Sequence, residues 1–334
     1  MIRILASCIA ASLLICASVP GYAKTIKLGT LAPEGSPWHQ IIRDIAESWK
    51  EISAGAVEVR IYAGGVAGDD SDMVRKMRVG QLHAAALTGT GLSRIAQEVQ
   101  ALQIPMMFRS DRELDYVRER ISPRLEAIFE DRGFVLLTWG DVGWVHFFTQ
   151  RPVVHPDDVK PMKMFTWAED SAVVEAYKAA GYRPVPLAVT DIHMALQSGL
   201  IEVVPMTPVA ALSHQWFGLA PHMTDLKWAP LVGAVVISKR GWEQIPEGLR
   251  PKFREAARMA GRRLQGRIRQ LGREAVEAMQ KHGLTVHKVP EATVAAWEQT
   301  ARAGYGQLID VIVPAEMVAE VERLRDEYRE RNRD

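Results

Sequence analysis

Short apolar runs alternate with amphipathic stretches along the first hundred residues. Residues 25–31 and 57–62 have the pattern of short strands, and residues 37–52 between them carry apolar side chains at helical spacing. A second helix is predicted to end before Gly80, and a further strand covers residues 83–88. Strands that alternate with helices in this way predict an α/β protein with mixed, mainly parallel sheets.

The alternation resumes in the second half of the chain. Residues 134–139 and 144–149 are predicted strands, residues 169–180 a helix, and residues 185–187 a strand. A second α/β unit is therefore expected to begin near residue 150.

The strongest periodic signal comes late. Apolar residues recur every three or four positions from Phe253 to Met279, which predicts one helix over about residues 248–281, roughly 45 Å long. A rod of that length exceeds one small domain, so we expect it to bridge two lobes. A strand over 284–289 and a polar helix over 316–331 follow.

These elements predict two lobes spanned by the bridging helix. Lobe I is expected to comprise residues 24–145 plus about 234–265. Lobe II is expected to comprise residues 146–233 plus about 266–334.

The N-terminus has the pattern of a secretory signal peptide over residues 1–23. Arg3 is followed by 16 uncharged, mainly apolar residues and a small-x-small cleavage site that ends at Ala23. That run is short for a membrane anchor, which needs about 20 residues. Cys8 and Cys16 both lie in this segment, so the exported chain is predicted to reach the periplasm without a thiol. A lipid attached at Cys8 is the alternative.

Composition and charge narrow the class of partner. The chain has 334 residues, and 48% of them are hydrophobic. Its formal net charge is +1, so the overall charge does not favour binding to nucleic acid. The predicted bridging helix nevertheless carries a basic face, which is either a solvated surface or a docking patch. Its members are Arg250, Lys252, Arg254, Arg258, Arg262, Arg263, Arg267, Arg269 and Arg273.

Sequence signatures of catalysis and of metal or cofactor binding are missing. The nine histidines form no HExxH pair, and the chain has no GxxxxGK[ST] and no GxSxG. Gly89 and Gly91 begin like a dinucleotide loop, but Arg94 occupies the third glycine position. The acidic residues 69–72 fit a helix start better than a calcium loop. We expect no enzyme activity, no metal and no cofactor.

Seven stretches, in this order, resemble those of the extracytoplasmic solute-binding subunits of TRAP (tripartite ATP-independent periplasmic) transporters. They are GTLAPEGSPWH (29–39), VAGDD (66–70), MRVGQLH (77–83), IPMMF (104–108), RPV with PDDVK (151–153 and 156–160), GYRPVPL (181–187) and DIHMALQSGLIE (191–202). The resemblance implies a two-lobe periplasmic-binding-protein-like fold whose lobes are joined by crossing strands and close around one ligand. It also implies delivery of that ligand to the integral-membrane subunits of the transporter.

Several positions depart from the family pattern. A family strand resembling KGLKIRV carries an arginine that binds the ligand carboxylate, and the run KPMKMFT places Phe165 there. A second arginine, found in members of the sialic-acid type, is replaced by Val145, and a ligand-binding asparagine by Met206. A further polar or acidic position becomes Thr88.

These departures predict an apolar pocket, because a carboxylate buried beside such side chains without a partner would cost several kcal/mol. We therefore expect an apolar or amphipathic ligand, such as a fatty acid, a lipid or an aromatic compound, in a cleft between the lobes. The pattern resembles a branch of the family with a hydrophobic pocket and a periplasmic helical-repeat partner. The candidate ligand-binding residues are Trp38, Thr88, Trp144, Val145, Phe165, Trp167, Met206, Thr207 and Trp216.

Three alternatives stay open at this point. The same fold could bind a small organic carboxylate through Lys163 or Arg183. An exported enzyme on a two-lobe scaffold is the second, since fold alone does not dictate function. A sensor that signals through the basic helix face is the third.

Overall fold

The structure, a computed structural model, describes residues 23–168 and 171–332. The predicted signal segment, including Cys8 and Cys16, lies outside the described residues apart from Ala23. None of the described helices combines the length and apolarity that crossing a membrane requires.

Nine strands lie in the described residues. They are β1 (Lys24–Thr30), β2 (Val57–Tyr62), β3 (Ala84–Thr88), β4 (Phe134–Thr149), β5 (Lys163–Trp167), β6 (Arg183–Leu187), β7 (Val203–Met206), β8 (His222–Ser238) and β9 (Thr285–Lys288).

Thirteen α-helices surround these strands within the same described residues. They are α1 (Pro37–Ile52), α2 (Asp70–Arg78), α3 (Gly89–Ser93), α4 (Asp111–Asp131), α5 (Pro156–Val159), α6 (Ser171–Ala179), α7 (Ile192–Gln197), α8 (Pro208–Ser213), α9 (Lys239–Glu243), α10 (Arg250–Lys281), α11 (Glu291–Ala303), α12 (Tyr305–Leu308) and α13 (Ala315–Arg331). Short 3-10 segments occur at Gln97–Gln103, Val189–Asp191, Trp216–Gly218 and Glu247–Leu249.

The strands form one mixed sheet in the order β2-β1-β3-β8-β4-β7-β5-β6, with β9 paired to β8. The outer pairs β1–β2 and β5–β6 are parallel, whereas the central pair β4–β8 is antiparallel. β4 is continuous where two strands were predicted, because its pairing with β8 resumes after a register shift within the glycine-containing segment at residues 140–143. The predicted mixed α/β class is confirmed.

β4 and β8 cross from one hydrophobic core to the other. Phe134 of β4 packs with α4 and α13 in the lobe I core, whereas Phe147 and Phe148 pack in the lobe II core around β5 and β7. A second cluster of lobe I lies on the opposite face of its sheet, beneath α1 and α10. The predicted crossing strands are therefore these two.

α10 spans 32 residues, about 48 Å. Its first half buries Phe253 and Ala257 in lobe I, and its second half buries Ala275 and Met279 in lobe II. This arrangement is the predicted bridge. The lobe boundaries stay a prediction, although α13 packs against α4 in the lobe I core and not, as predicted for residues 266–334, in lobe II.

Part of the basic face of α10 is covered by acidic residues of α4. Arg254 lies 3.4 Å from Glu130 and Arg258 lies 2.9 Å from Glu126. Arg269 joins a buried cluster described below. Much of the predicted basic surface is therefore matched within the chain.

Gly261 lets α10 cross β4 at close range. A Cβ at this position would lie 2.0 Å from Thr138 Oγ1 and 2.7 Å from the Trp139 carbonyl oxygen, whereas one at Gly266 on the same helix would meet nothing within 4 Å.

We therefore expect opposite results from two alanine substitutions in α10. Gly261→Ala should lower the free energy of unfolding by about 1–3 kcal/mol through overpacking. Gly266→Ala should raise it by up to about 1 kcal/mol through helix propensity. Urea denaturation of both variants measures the two free energies of unfolding. If both variants shift that free energy in the same direction, the close approach of α10 to β4 at Gly261 is contradicted.

Candidate functional site

A cleft lies between the lobes at the carboxyl ends of several strands. From lobe I it is lined by the loop after β1, by α1 and by the end of β3. From lobe II it is lined by the ends of β5 and β7 and by α8. Its lining residues are Thr30, Leu31, Ala32, Pro33, Trp38, Ile41, Ile42, Ala86, Leu87, Thr88, Thr138, Trp139, Gly140, Asp141, Val142, Trp167, Val189, Met206, Ala210, His214, Trp216, Leu231, Gly233, Ala234, Val235, Gly261 and Leu264.

The start of α1 positions Trp38 in the cleft. Ser36 caps the helix by accepting a hydrogen bond from the His39 N–H at 3.3 Å, and Pro37 occupies the first turn. The Trp38 indole donates to the carbonyl oxygen of Asp141 in β4, at 3.2 Å. The cap and this bond together fix the ring at the junction of the lobe I loop with the crossing strands.

The lobe II wall follows from the end of β7. Thr207 caps α8 by accepting a bond from the Ala210 N–H at 3.4 Å, which places Ala210 against the cleft. After α8 the His214 and Trp216 rings stack, with centroids 4.5 Å apart and an interplanar angle of 8°. Gln215 between them adopts a left-handed conformation with φ of 57°.

Cationic side chains are absent from the described lining of the cleft. Asp141 is its one acidic residue, and that carboxylate binds Arg118 and Arg269 on the side of α4 and α10. Burial lowers the pKa of His214 below 6.5, so the imidazole is neutral at pH 7. The described lining of the cleft therefore carries no net charge.

Two buried donors beside the cleft have no acceptor among the described residues. The indole Nε1 atoms of Trp139 and Trp167 are buried without a hydrogen-bond partner. The Thr88 hydroxyl, by contrast, donates to the carboxylate of Asp70. Unpaired buried donors cost about 1–3 kcal/mol each. Neither Nε1 atom is exposed to the cleft, so a ligand oxygen would pair with them only after a small movement of the rings.

The lobes meet at one side of the cleft. Thr190 Cγ2 lies 3.4 Å from where a Cβ of Gly65 would be, and Gly65 has a left-handed φ of 79°. This contact joins the loop after β2 to the 3-10 segment Val189–Asp191. The two lobes therefore touch at this edge of the cleft.

Five of the nine predicted site residues line the cleft. They are Trp38, Thr88, Trp167, Met206 and Trp216. Sequence analysis did not assign His214, Ala210 and Val189, which also line it. His214 and Ala210 lie within eight residues of the predicted Met206 and Thr207, and this closeness in sequence could have identified them as candidates.

The other four predicted residues do not line this cleft. Trp144 and Thr207 line a separate groove beside α10. The Trp144 indole turns away from the cleft and donates to the Asp111 carboxylate of α4, at 3.0 Å. Val145 and Phe165 are buried in the lobe II core. Phe165 lies behind Trp167, its ring centroid 4.9 Å away.

Lys163 and Arg183 also lie away from the cleft. They pair at the first position of β5 and β6, whereas the cleft is at Trp167, four residues and about 13 Å farther along β5. Lys163 Nζ donates to the Gly199 carbonyl oxygen at 2.5 Å, and an Arg183 guanidinium nitrogen donates to that of Pro161 at 3.1 Å. Neither is a cleft cation, so a carboxylate in the cleft would not be bound through Lys163 or Arg183 as predicted.

A pH effect is expected from His146 and His214, since burial lowers the pKa of both below 6.5. Below that pH the unfolded chain binds protons that the folded chain excludes. The free energy of unfolding should therefore fall as the pH drops from 7 to 5, by up to about 1.4 kcal/mol per pH unit for each histidine.

The variant His146→Gln should flatten this dependence in urea titrations at pH 7, 6 and 5. His193→Gln, at an exposed position of α7, is the control. If the free energy of unfolding of His146→Gln falls with pH as steeply as that of the wild type, the contribution of His146 is contradicted.

No group of three or more histidine, cysteine, aspartate or glutamate side chains suited to a metal ion occurs within residues 23–168 and 171–332.

Comparisons with known proteins agree with this architecture. Residues 28–310 match the family described as bacterial extracellular solute-binding protein, family 7. The C4-dicarboxylate-binding periplasmic protein DctP of Rhodobacter capsulatus is 25% identical over 327 residues, 96% of this chain and 97% of that protein.

Two solved structures share the fold. A TRAP periplasmic solute-binding protein of Sulfurospirillum deleyianum with bound succinate superposes with a TM-score of 0.83 at 20% identity, covering 90% of this chain and 99% of that one. One of Ralstonia eutropha with bound (S)-2-acetolactate gives 0.85 at 21% identity, covering 92% and 100%. The chain therefore belongs to family 7 of the bacterial extracellular solute-binding proteins, the solute-binding proteins of TRAP transporters, and is a transport protein and not an enzyme.

Proposed function

We propose that this protein captures a small organic acid with an apolar or aromatic body in the interlobe cleft and delivers it to the TRAP membrane subunits. Succinate and acetolactate, the ligands of the two solved relatives, are both carboxylates. The observation that carries the proposal is the pair of unpartnered indole donors, Trp139 and Trp167, which favour a ligand with acceptor oxygens.

The carboxylate would be held by neutral donors and not by a guanidinium. A hydrogen bond from a neutral N–H to a charged oxygen contributes about 1.5–3 kcal/mol, so two or more could offset part of the desolvation cost. Trp38, Trp216 and Met206 would pack against the apolar body. This mode differs from the predicted binding through Lys163 or Arg183.

A neutral apolar ligand is the second candidate. The absence of Lys and Arg from the described cleft lining favours it, because nothing there compensates a full negative charge. It corresponds to the predicted hydrophobic-pocket branch and to a helical-repeat periplasmic partner.

Calorimetry with matched ligand pairs separates these candidates. Phenylacetate and succinate would be compared with their methyl esters, after mass spectrometry of the molecules that co-purify with the protein. An organic acid ligand requires that at least one acid bind more tightly than its ester. Equal or tighter binding of the esters would favour the neutral ligand.

Trp167→Phe tests the donor directly. It should weaken acid binding about 10-fold, which corresponds to one lost hydrogen bond. Trp144→Phe is the matched control, because its indole donates to Asp111 outside the cleft. Equal effects of the two variants would contradict the role of Trp167.

Export to the periplasm is part of the proposal, and it is supported by the signal-like residues 1–23 and by the periplasmic relative. N-terminal sequencing of the mature protein should begin at about Lys24.

A further inference from the structure

His214 is the one side chain in the described lining of the interlobe cleft that can acquire a positive charge. That lining contains no Lys or Arg, and its single carboxylate, Asp141, is bound by Arg118 and Arg269. A carboxylate ligand therefore meets no permanent cation among these residues. A compensating charge can arise there only when the His214 imidazole takes up a proton.

Stacking, and not hydrogen bonding, holds the His214 ring in place. The ring stacks on the indole of Trp216, which is 1% exposed, with centroids 4.5 Å apart. Within the described residues neither ring nitrogen of His214 has a hydrogen-bond partner, and neither is enclosed as the Nε1 atoms of Trp139 and Trp167 are. The stacked ring therefore keeps its nitrogen atoms free to bind a ligand.

The elements around His214 bring no charge to it. α8 and the segment 216–218, which flank it in sequence, contain no ionisable side chain. α7 packs on that segment and carries the exposed His193, and α10 packs on α8 with Arg269 and Arg273 on that side. Burial alone lowers the pKa of His214, and no charged side chain of the described residues shifts it further. The imidazole of the free protein is therefore neutral at pH 7.

A carboxylate beside this ring would reverse that balance. An opposite charge within about 4–6 Å favours the protonated imidazole, and a charge-assisted hydrogen bond is roughly twice as strong as a neutral one. The face of an indole also attracts a positive charge within about 6 Å, and Trp216 lies within that distance. A bound acid would therefore raise the pKa of His214.

We propose that His214 selects carboxylates in the interlobe cleft, and that it binds them as an imidazolium, with one proton taken up from solvent. The inference rests on the proposed function and adds one charged group to its neutral donors. Proton and ligand favour each other's binding by the same factor, so acid affinity falls as the pH rises above 6. A neutral ligand takes up no proton.

Calorimetry of the wild type in two buffers of different ionisation enthalpy measures the proton uptake. The ligand is whichever of phenylacetate and succinate binds more tightly, and its methyl ester is the neutral control. At pH 7 the acid should take up at least about half a proton and the ester none. From pH 6 to 8 acid affinity, corrected for protonation of the free ligand, should fall at least about 3-fold.

His214→Gln keeps a polar side chain and cannot be protonated. This variant should show no proton uptake and bind the acid at least about 10-fold more weakly at pH 6, with ester affinity within about 2-fold of the wild type. His146→Gln is the matched control, because His146 is a buried histidine outside the described cleft lining. It should keep the proton uptake of the wild type.

The failure of this inference differs from the failure of the proposed function. If neither acid binds the wild type, both fail. If an acid binds without proton uptake, or if His214→Gln retains that uptake, only the role of His214 is overturned. Equal weakening of acid and ester binding in His214→Gln would also overturn it, because the residue would then act by packing alone.

Discussion

Replacing Arg118 by methionine is expected to lower the free energy of unfolding by about 3–5 kcal/mol, the range for breaking a buried ion pair. The side chains of Arg118 and Asp141 are each 7% exposed and bind one another directly. Arg118 also lies 2.9 Å from Asp115 of its own helix. Without Arg118, Asp141 keeps only Arg269 as its cation, at 2.9 Å.

Arg269 cannot take over the whole cluster. Its guanidinium already forms ion pairs with the carboxylates of Asp115, at 2.7 Å, and Asp111, at 3.3 Å. Burial opposes its charge, but the hydrogen bond to Asp115 and the neighbouring carboxylates more than offset that penalty and raise its pKa. One guanidinium would then face three carboxylates.

Urea denaturation at pH 7 measures the loss. Arg267→Met is the control on α10, because its pair with Glu274 is exposed and should contribute at most about 0.5 kcal/mol. The double variant Arg118→Met, Asp141→Leu should recover part of the stability, since it leaves no unpaired charge at that position. A loss below 1 kcal/mol in Arg118→Met would contradict the buried cluster.

Gly65→Leu is expected to weaken ligand binding at least 10-fold. Gly65 faces Thr190 across the closed interface, with 3.4 Å from its Cβ position to Thr190 Cγ2. A leucine there would collide with Thr190 when the lobes close. Binding requires the closed form, so the cost of that collision is subtracted from the affinity.

Gly64→Leu is a matched control for the backbone. Gly64 also has a left-handed φ, of 65°, but a Cβ there meets nothing within 4 Å. Both variants should lose similar stability from backbone strain, about 1–3 kcal/mol. Calorimetry with the co-purifying ligand and small-angle scattering of the loaded protein should show weaker binding and a larger radius of gyration only for Gly65→Leu. If Gly65→Leu and Gly64→Leu bind the ligand with equal affinity, the contact between Gly65 and Thr190 does not control closure of the lobes.

Local periodicity was sufficient for five of the thirteen described helices, namely α1, α2, α6, α10 and α13. The bounds of α1 match the prediction, and α10 lies within two residues of it at its N-terminal end. The apolar stripe of each helix is a property of its own residues, so no distant contact is needed to predict it. α4 was not predicted, because it carries Pro123 and many charged residues that pair with α10 and α13 only in the folded chain.

The site was harder to predict, because it depends on which way each side chain points in bulged strands. A register shift between Asp141 and Gly143 precedes Trp144, and the Trp144 indole faces α4 and not the interlobe cleft. Lys163 and Arg183 could have been excluded, since ligands of α/β proteins bind at the carboxyl ends of the strands and both residues lie at the opposite ends.

The uncharged surface of the interlobe cleft has a consequence for the speed of uptake. Because the described cleft lining carries no net charge, it exerts no long-range electrostatic attraction on an incoming anion. The association rate constant should therefore have the value typical of binding without electrostatic steering. The association rate constant should therefore stay nearly constant as salt rises, because there is no steering for the counterions to screen. A bacterium using this protein would acquire its solute equally fast in dilute and in saline surroundings.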